Sequence, residues 1–203
     1  MTFRFASTAF ALALLAAPLP VMAAADTGPA AMPAGVYVID PHHASLIGSV
    51  SHFGRSTYVF RFDKFDASYD YDPAAPDAAR LTVSIDVNSL DTGWDTADKE
   101  FSREFAGAAK TPVATFVSTS ISHTGAAGVV TGDLTLNGVT RPVSLAVTFN
   151  GYGPLGPMGI LGKKAGFSAT GVVKRSDFGL TKYVPAVGDD ITLQINAEFV
   201  PKK

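Results

Sequence analysis

One hairpin constrains the fold of this chain more than any other segment. Leu134 and Leu136 alternate with polar residues, which is the period of a half-buried strand. Asn137-Gly138 follows, and this pair is the strongest short-range signal for a two-residue turn, because both central residues of a type I′ turn need positive φ. Alternation then resumes over 143–149. Strands joined this tightly run antiparallel, so the hairpin predicts an antiparallel β fold.

The same alternation recurs along most of the chain. Strands are predicted at 36–39, 45–52, 57–71, 81–87, 114–121, 130–136, 143–149, 164–174 and 191–200. Asp40-Pro41 predicts a helical turn after the first strand, because Asp caps a helix and Pro suits its first position. The alternation in 57–71 slips near Lys64, which predicts a bulge.

Eight or nine short antiparallel strands predict an all-β closed barrel, because closure removes exposed sheet edges. An eight-stranded barrel is either filled by its own side chains or able to hold one small ligand, and the pattern allows both.

One inserted segment has a helical period instead. Apolar residues recur at steps of three and four, which predicts a single amphipathic helix. These residues are Trp94, Ala97, Phe101 and Phe105. Asp95 or Thr96 is expected to cap this helix and Gly107 to end it.

The first residues carry the pattern of an export signal. Arg4 precedes the uncharged apolar run 5–17, and small residues at 23–25 suit cleavage after Ala25 or Ala23. A membrane anchor is the alternative, but the run is short and two prolines follow it. The division expected is therefore a signal peptide at 1–25, a flexible leader at 26–34 and one barrel domain at 35–203, in a periplasmic protein. Cysteine is absent, which excludes disulfides and zinc–thiolate sites.

Composition and motifs exclude several functions. Only 17% of residues are charged, the net charge is −2, and no run of Lys or Arg suggests a nucleic-acid partner. There is no Gly-x-Ser-x-Gly nucleophile motif. The glycine-rich segment 153–162 lacks the Gly-Lys-Ser/Thr of a phosphate loop. The sequence therefore predicts a protein that is not an enzyme.

Several landmarks fall in one order along the chain. They are Tyr37-Val38-Ile39-Asp40-Pro41-His42-His43, His52, Tyr58-x-Phe60-x-Phe62, Thr92 with Asp98, Pro112-x-Ala114-x-Phe116, the hairpin, and Arg175-Ser176-Asp177-Phe178-Gly179. This order resembles the YceI-like family of exported proteins over roughly 36–199. The resemblance implies a lipocalin-like antiparallel barrel with a long apolar cavity that binds polyisoprenoid lipids or isoprenoid quinones, and no other cofactor. Some YceI-like domains are associated with b-type cytochromes, so a partner protein without lipid of its own is the alternative function.

The chain departs from the family pattern at two neighbouring places. The family usually has Phe where Gly48 stands and Gly where Phe60 stands, and Ala44 replaces a usual Ser. We interpret the first two changes as compensating, because one ring moved to a neighbouring strand conserves core volume.

Candidate ligand contacts lie on the apolar faces of the predicted strands. They are Tyr58, Phe60, Phe62, Phe116, Leu134, Phe149, Phe167, Leu193 and Ile195. Periodicity alone fits a filled core equally well, and the resemblance favours a ligand site.

Three polar residues are candidate headgroup contacts: His43, His52 and Arg175. The structural alternatives are that the histidines satisfy buried groups such as Asp40, and that Arg175 pairs with Asp177 to fix a turn. The four histidines of the chain have no metal-site spacing, so no metal is predicted.

The segment 152–161 is apolar and free of charge up to Lys163-Lys164. It is a lid at the barrel mouth, a loop that touches a membrane transiently, or an ordinary hairpin loop packed on the outside of the barrel. A homodimer through this loop or an exposed edge is left open. The combined prediction is a periplasmic carrier that holds an isoprenoid lipid inside its barrel.

Overall fold

The computed structural model describes residues 28–156, 159–160 and 162–203, so the expected signal peptide lies outside the described residues. Within these ranges the strands are β1 (Gly35–His52), β2 (Ser56–Phe62), β3 (Phe65–Tyr71), β4 (Arg80–Asp86), β5 (Leu90–Asp91), β6 (Val113–Thr124), β7 (Ala127–Leu136), β8 (Val139–Pro154), β9 (Lys163–Lys174) and β10 (Asp190–Pro201). One short helix, α1 (Asp95–Glu100), continues as a π-helical turn over Phe101–Phe105.

The described strands close into an antiparallel barrel. β10 pairs with β9 on one side and with β1 on the other. β2 and β3 follow one another along β1, while β4 pairs with β3 and β5 with β2. β2 and β3 together occupy one position in the barrel, and so do β4 and β5. The ten described strands therefore fill eight positions. The predicted fold class is confirmed, including its single inserted helix.

The central hairpin has the geometry that its sequence predicts. β7 and β8 pair in register from Ala127 to the turn, where Leu136 faces Val139. Asn137 and Gly138 have φ of 52° and 71°, as a type I′ turn requires. The predicted slip near Lys64 is also confirmed, because β2 ends and β3 begins on either side of it.

The helical turn predicted at Asp40-Pro41 is wrong. β1 is one continuous strand with a register shift between Ile39 and Ala44. The carboxylate of Asp40 accepts a hydrogen bond from the His42 N–H at 3.0 Å, so the capping group stabilises a bulge instead of a helix.

The N-cap predicted for α1 is also wrong, whereas Gly107 follows the end of the helix with a φ of 84°, as predicted. Trp94 occupies the N-cap position without a side-chain hydrogen bond, and its side chain is 62% exposed. The start of the helix is held by Asp98, whose carboxylate accepts hydrogen bonds from the N–H and hydroxyl of Thr92 at 2.9 and 2.6 Å. The buried stripe therefore begins at Ala97 and ends at Phe105, whose ring packs 5.8 Å from that of Phe60.

The two ends of the barrel differ. We call the end that carries Tyr71 and the β6–β7 turn the mouth, and the opposite end, covered by 87–112 and 175–189, the base. α1 and its π-helical turn lie at the base. The mouth lacks a helix of this kind in the described residues, so the segments that cross it decide access to the interior.

Candidate functional site

The interior of the barrel is hollow. An upper chamber runs from the mouth to the middle of the barrel and has a volume of about 200 Å³. Inward residues of β7 and β8, such as Val130, Leu134, Leu145 and Phe149, form one wall. Their side chains face inward because alternate residues of a strand point to the same face. The lining is almost wholly hydrocarbon, which suits an apolar ligand.

The N-terminal segment 28–34 lies across the mouth. Met32 is 1% exposed and lines the upper chamber together with Pro29. Two tyrosines of the barrel hold the segment: the Tyr71 hydroxyl donates to the Pro29 carbonyl at 2.9 Å, and the Tyr37 hydroxyl donates to the Pro33 carbonyl at 2.7 Å. Most of the expected leader is thus packed against the barrel as a plug, which we define as residues 28–34.

Burial around the plug keeps these phenols neutral. Desolvation raises the pKa of Tyr37 to about 12, and it also raises the pKa of Tyr71 above its ordinary value. Both hydroxyls therefore remain hydrogen-bond donors across the physiological pH range. The contacts that hold the plug are insensitive to pH in that range.

The polar groups of the upper chamber are few and lie toward the mouth. Tyr69 lines the chamber, stacks on Tyr71 at 5.7 Å and meets Phe167 edge-on at the same distance. Desolvation raises the pKa of Tyr69 above its ordinary value, so its hydroxyl too stays protonated. Ser122 and His123 line the rim. The polar end of a ligand can form hydrogen bonds near the mouth, and an apolar tail can pack against the hydrocarbon lining below.

A lower chamber of about 80 Å³ lies beneath the upper one. Four residues line both chambers and separate them: Leu46, Ile85, Leu134 and Leu193. We call these four the partition. The other walls of the lower chamber include Phe60, Phe105 and Ala114, so it is as apolar as the upper one.

The interpretation of Gly48 and Phe60 as a compensating pair is confirmed in its geometry. The two residues face each other across β1 and β2. A Cβ at Gly48 would lie 2.3 Å from Cζ of Phe60, so the ring occupies the space above the glycine. Phe60 is 3% exposed and packs edge-on against Phe62 and Phe105. Only a residue without a side chain fits at position 48 beside this ring.

Arg175 is a structural residue of the base and lines neither chamber. It is completely buried, and its guanidinium donates to the carbonyls of Leu180, Lys182, Val187 and Gly188 at 2.7 to 3.0 Å. The headgroup role predicted for Arg175 finds no geometric support. Its donors are used on the loop 180–188.

The alternative pairing of Arg175 with Asp177 is wrong. The carboxylate near this turn is that of Asp189, which accepts hydrogen bonds from the N–H and hydroxyl of Ser176 at 2.8 and 2.6 Å. These bonds lower the pKa of Asp189. Arg175 also lies 4.5 Å from the ring centre of Phe105, which ties the loop to the π-helical turn.

The two candidate histidines lie outside the chambers at opposite ends. His43 is exposed on the outer surface, and its Nδ1 lies 2.9 Å from the Asp40 carboxylate, as the structural alternative predicts. His52 is near the base, where its ring packs against Phe53 and Tyr58. Neither is placed to meet a ligand in the upper chamber.

Asp40, His43 and Glu198 lie close enough together to share a metal ion, but Lys164 already satisfies them. Its ammonium lies 2.5 Å from Asp40, 2.8 Å from Glu198 and 3.2 Å from His43. The hydrogen bond from Lys164 holds the pKa of the Asp40 carboxyl far below its usual range. The cluster therefore fixes β9 to the bulge of β1 on the outer face.

The predicted apolar contacts divide into three groups. Six line the upper chamber: Phe116, Leu134, Phe149, Phe167, Leu193 and Ile195. Phe60 and Phe62 line the lower chamber. Tyr58 lines neither and instead packs on Phe101 at the base, 5.5 Å between ring centres.

Sequence reasoning missed Tyr69, Tyr71 and Met32. Alternation restarts at Phe65 after the bulge and places Ala67, Tyr69 and Tyr71 on the inner face. If alternation is assigned separately to β3, the sequence predicts that both tyrosines face inward. Met32 carries no comparable signal, because its burial depends on contacts distant in sequence.

The apolar loop predicted at 152–161 is described only in part, since 157, 158 and 161 lie outside the described residues. Ile160 is 73% exposed, whereas Tyr152 is buried against Tyr37. Across the described ranges, the structure contains no helix with the length and hydrophobicity that spanning a membrane demands.

Comparison with known proteins gives a consistent result. The family model of the YceI-like domain matches residues 37–199. Protein YceI of Salmonella arizonae is 39% identical over 173 residues, which are 84% of this chain and 89% of that protein, and the Salmonella heidelberg protein matches equally.

Solved structures of this fold also match. The YceI protein of Campylobacter jejuni has a TM-score of 0.62 and 31% identity, covering 75% of this chain and 90% of that one. BcnA of Burkholderia cenocepacia has a TM-score of 0.66 at 24% identity, covering 79% and 98%. A Saccharophagus degradans domain, described as polyisoprenoid binding, has a TM-score of 0.61 at 15% identity, covering 82% and 98%.

Proposed function

This chain belongs to the YceI-like family, and we propose that it binds an isoprenoid lipid, of the polyprenyl or isoprenoid quinone type, inside its barrel. The observation that carries the proposal is the upper chamber: an apolar space with its few polar groups near the mouth. A ligand with one polar end and a long hydrocarbon tail matches this distribution. The polyisoprenoid binding described for the Saccharophagus degradans domain supports the same ligand class.

The energetics favour recognition of the tail. Burying one CH₂ group contributes about 0.8 kcal/mol, so a five-carbon isoprene unit contributes roughly 3–4 kcal/mol before the cost of ordering the chain. Because association itself costs at least about 4 kcal/mol, several units are needed, and together they supply the affinity without a charged headgroup contact. Because the energy is spread over many contacts, no single lining residue is expected to dominate.

The headgroup is expected at the mouth, where Tyr69 and His123 offer hydrogen bonds. This assignment replaces His43, His52 and Arg175, none of which lines the chamber. A tyrosine hydroxyl and an imidazole suit an alcohol, a quinone carbonyl or a phosphate oxygen.

The physiological role proposed is that of a periplasmic carrier, a binding protein with no catalytic step. A carrier must exchange its lipid with a membrane, and the loop after β8 offers an apolar contact near the mouth through Ile160, followed by the cationic Lys163. An exposed apolar side chain beside positive charge is the composition of transient membrane contacts.

The test is the ligand content of the protein produced from its full sequence, with the expected signal peptide 1–25 included. The protein is purified without detergent, extracted with organic solvent and examined by mass spectrometry. The expected result is one prenyl compound in stoichiometric amount. Ala169→Phe, which fills the upper chamber, is expected to lose it, and the control Thr170→Phe, one residue along on the exposed face, is expected to retain it. Absence of a prenyl compound from the unmodified protein refutes the proposal.

A further inference from the structure

The partition is the feature from which a further property follows. Leu46, Ile85, Leu134 and Leu193 come from β1, β4, β7 and β10, which are spread around the barrel. They are the residues shared by the two chambers, so only side chains separate the upper space from the lower one. An aliphatic side chain clears a passage by changing from one staggered rotamer to another, whereas a backbone wall does not move without breaking its hydrogen bonds.

The lower chamber is costly to leave empty. A dry cavity lined by carbon loses van der Waals contacts on every side and destabilises the fold in proportion to its volume. It also attracts no water, because its walls offer no hydrogen-bonding partners. The same space becomes favourable when the end of an apolar chain fills it.

The base limits how far such a chain reaches. Phe105 and Leu180 line the lower chamber at its far side, and the loop that carries Leu180 is fixed by the buried guanidinium of Arg175. This end of the interior is therefore fixed by backbone contacts, while the partition above it is closed by side chains alone.

We propose that the tail of the bound lipid passes between the four partition residues into the lower chamber, and that this chamber sets the longest chain held in full. The inference rests on the proposed function and adds the selection of chain length. Tails that end at the partition leave the lower chamber empty. Tails longer than both chambers leave part of the chain in water at the mouth.

Ala114 provides a direct test, because it lines the lower chamber and not the upper one. Ala114→Leu fills the lower space from a buried position on β6, and Ala114→Val fills less of it if the larger variant does not fold. Val113→Leu is the matched control on the exposed side of the same strand. Ala169→Leu is the comparison in the upper chamber.

The assay measures the affinity of the delipidated proteins for farnesol, geranylgeraniol and geranylfarnesol, each longer than the last by one isoprene unit. The unmodified protein is expected to bind more tightly with each unit until both chambers are full. Ala114→Leu is expected to bind farnesol normally and to bind the longest tail that fits the unmodified protein about tenfold more weakly. Ala169→Leu is expected to weaken all three alcohols.

Two results overturn the inference, and they are distinguishable. If the unmodified protein binds the alcohols and Ala114→Leu has the same dependence on length, the lower chamber takes no part and only this inference fails. If the unmodified protein binds none of the alcohols, the proposed function fails with it. Unchanged binding by Val113→Leu excludes an indirect effect of the strand.

Discussion

Exchange of residues between positions 48 and 60 tests the packing of the barrel wall most directly. Phe60 is almost fully buried, and truncation of such a ring costs about 3–5 kcal/mol. Phe60→Gly also adds the flexibility of a glycine within a strand, so we expect a loss of about 5 kcal/mol. Gly48→Phe places a second ring where the Phe60 ring already lies 2.3 Å from the expected Cβ, and overpacking of this kind costs about 2–3 kcal/mol.

The double variant shows whether the side chains at positions 48 and 60 share one space in the core. Gly48→Phe with Phe60→Gly returns one ring to the same space from the neighbouring strand, since the two positions are direct cross-strand partners. We expect it to be more stable than the sum of the single losses by about 2–3 kcal/mol, the size of coupling found for residues in contact. Urea unfolding at constant pH, followed by circular dichroism, measures all four corners of this cycle.

The control and the refuting result are equally specific. Val59→Ala, on the exposed side of β2, is expected to change stability by less than about 0.5 kcal/mol. Additive losses in the double variant refute the reasoning, and so does a Gly48→Phe variant as stable as the unmodified protein. Either result means that the ring of Phe60 does not occupy the space beside Gly48.

Three further predictions follow from other contacts. Arg175→Lys is expected to lower the free energy of unfolding by about 3 kcal/mol in urea titrations, because an ammonium cannot reach the carbonyls that the guanidinium satisfies; unchanged stability contradicts this. Asp40→Asn is expected to cost about 1 kcal/mol near pH 7, since the Lys164 hydrogen bond lowers the folded pKa of Asp40. That difference is complete above the unfolded pKa near 4 and shrinks as pH falls from there toward the lower folded pKa, whereas Asp70→Asn is the exposed control; a difference as large at pH 2 as at pH 7 contradicts the linkage. Met32→Ser is expected to loosen the plug and to speed uptake of a fluorescent prenyl probe from vesicles severalfold, and an unchanged rate contradicts its role at the mouth.

The barrel could be predicted because its signals are local. Asn137-Gly138 sets the turn by backbone conformation alone, and alternation on either side fixes which face is inward. The same alternation placed six of the nine expected apolar contacts on the upper chamber. Tyr58 does not line a chamber, because its part of β2 lies beside the base, where inward residues pack against the π-helical turn instead of facing open space.

The polar part of the site could not be predicted in this way. Arg175 looks like a ligand contact in the sequence, but its partners are backbone carbonyls, and no residue type marks a carbonyl that is free to accept. The plug is equally hidden, since Met32 is buried by tyrosine-anchored contacts with strands distant in sequence. The division into two chambers depends on how four side chains meet across the barrel, which spacing along one strand does not reveal.

The pairing of β10 with β1 has a consequence for the order of folding. Tyr37 faces Pro201 at one end of this seam and Ser49 faces Thr192 at the other, while the Lys202 N–H donates to the Val36 carbonyl at 2.8 Å. Until residues 190–201 have left the ribosome, β1 has no neighbour on that edge and the cylinder stays open. The sheet that forms before β10 joins it thus presents an apolar inner face, and only the pairing of β10 with β1 encloses a ligand.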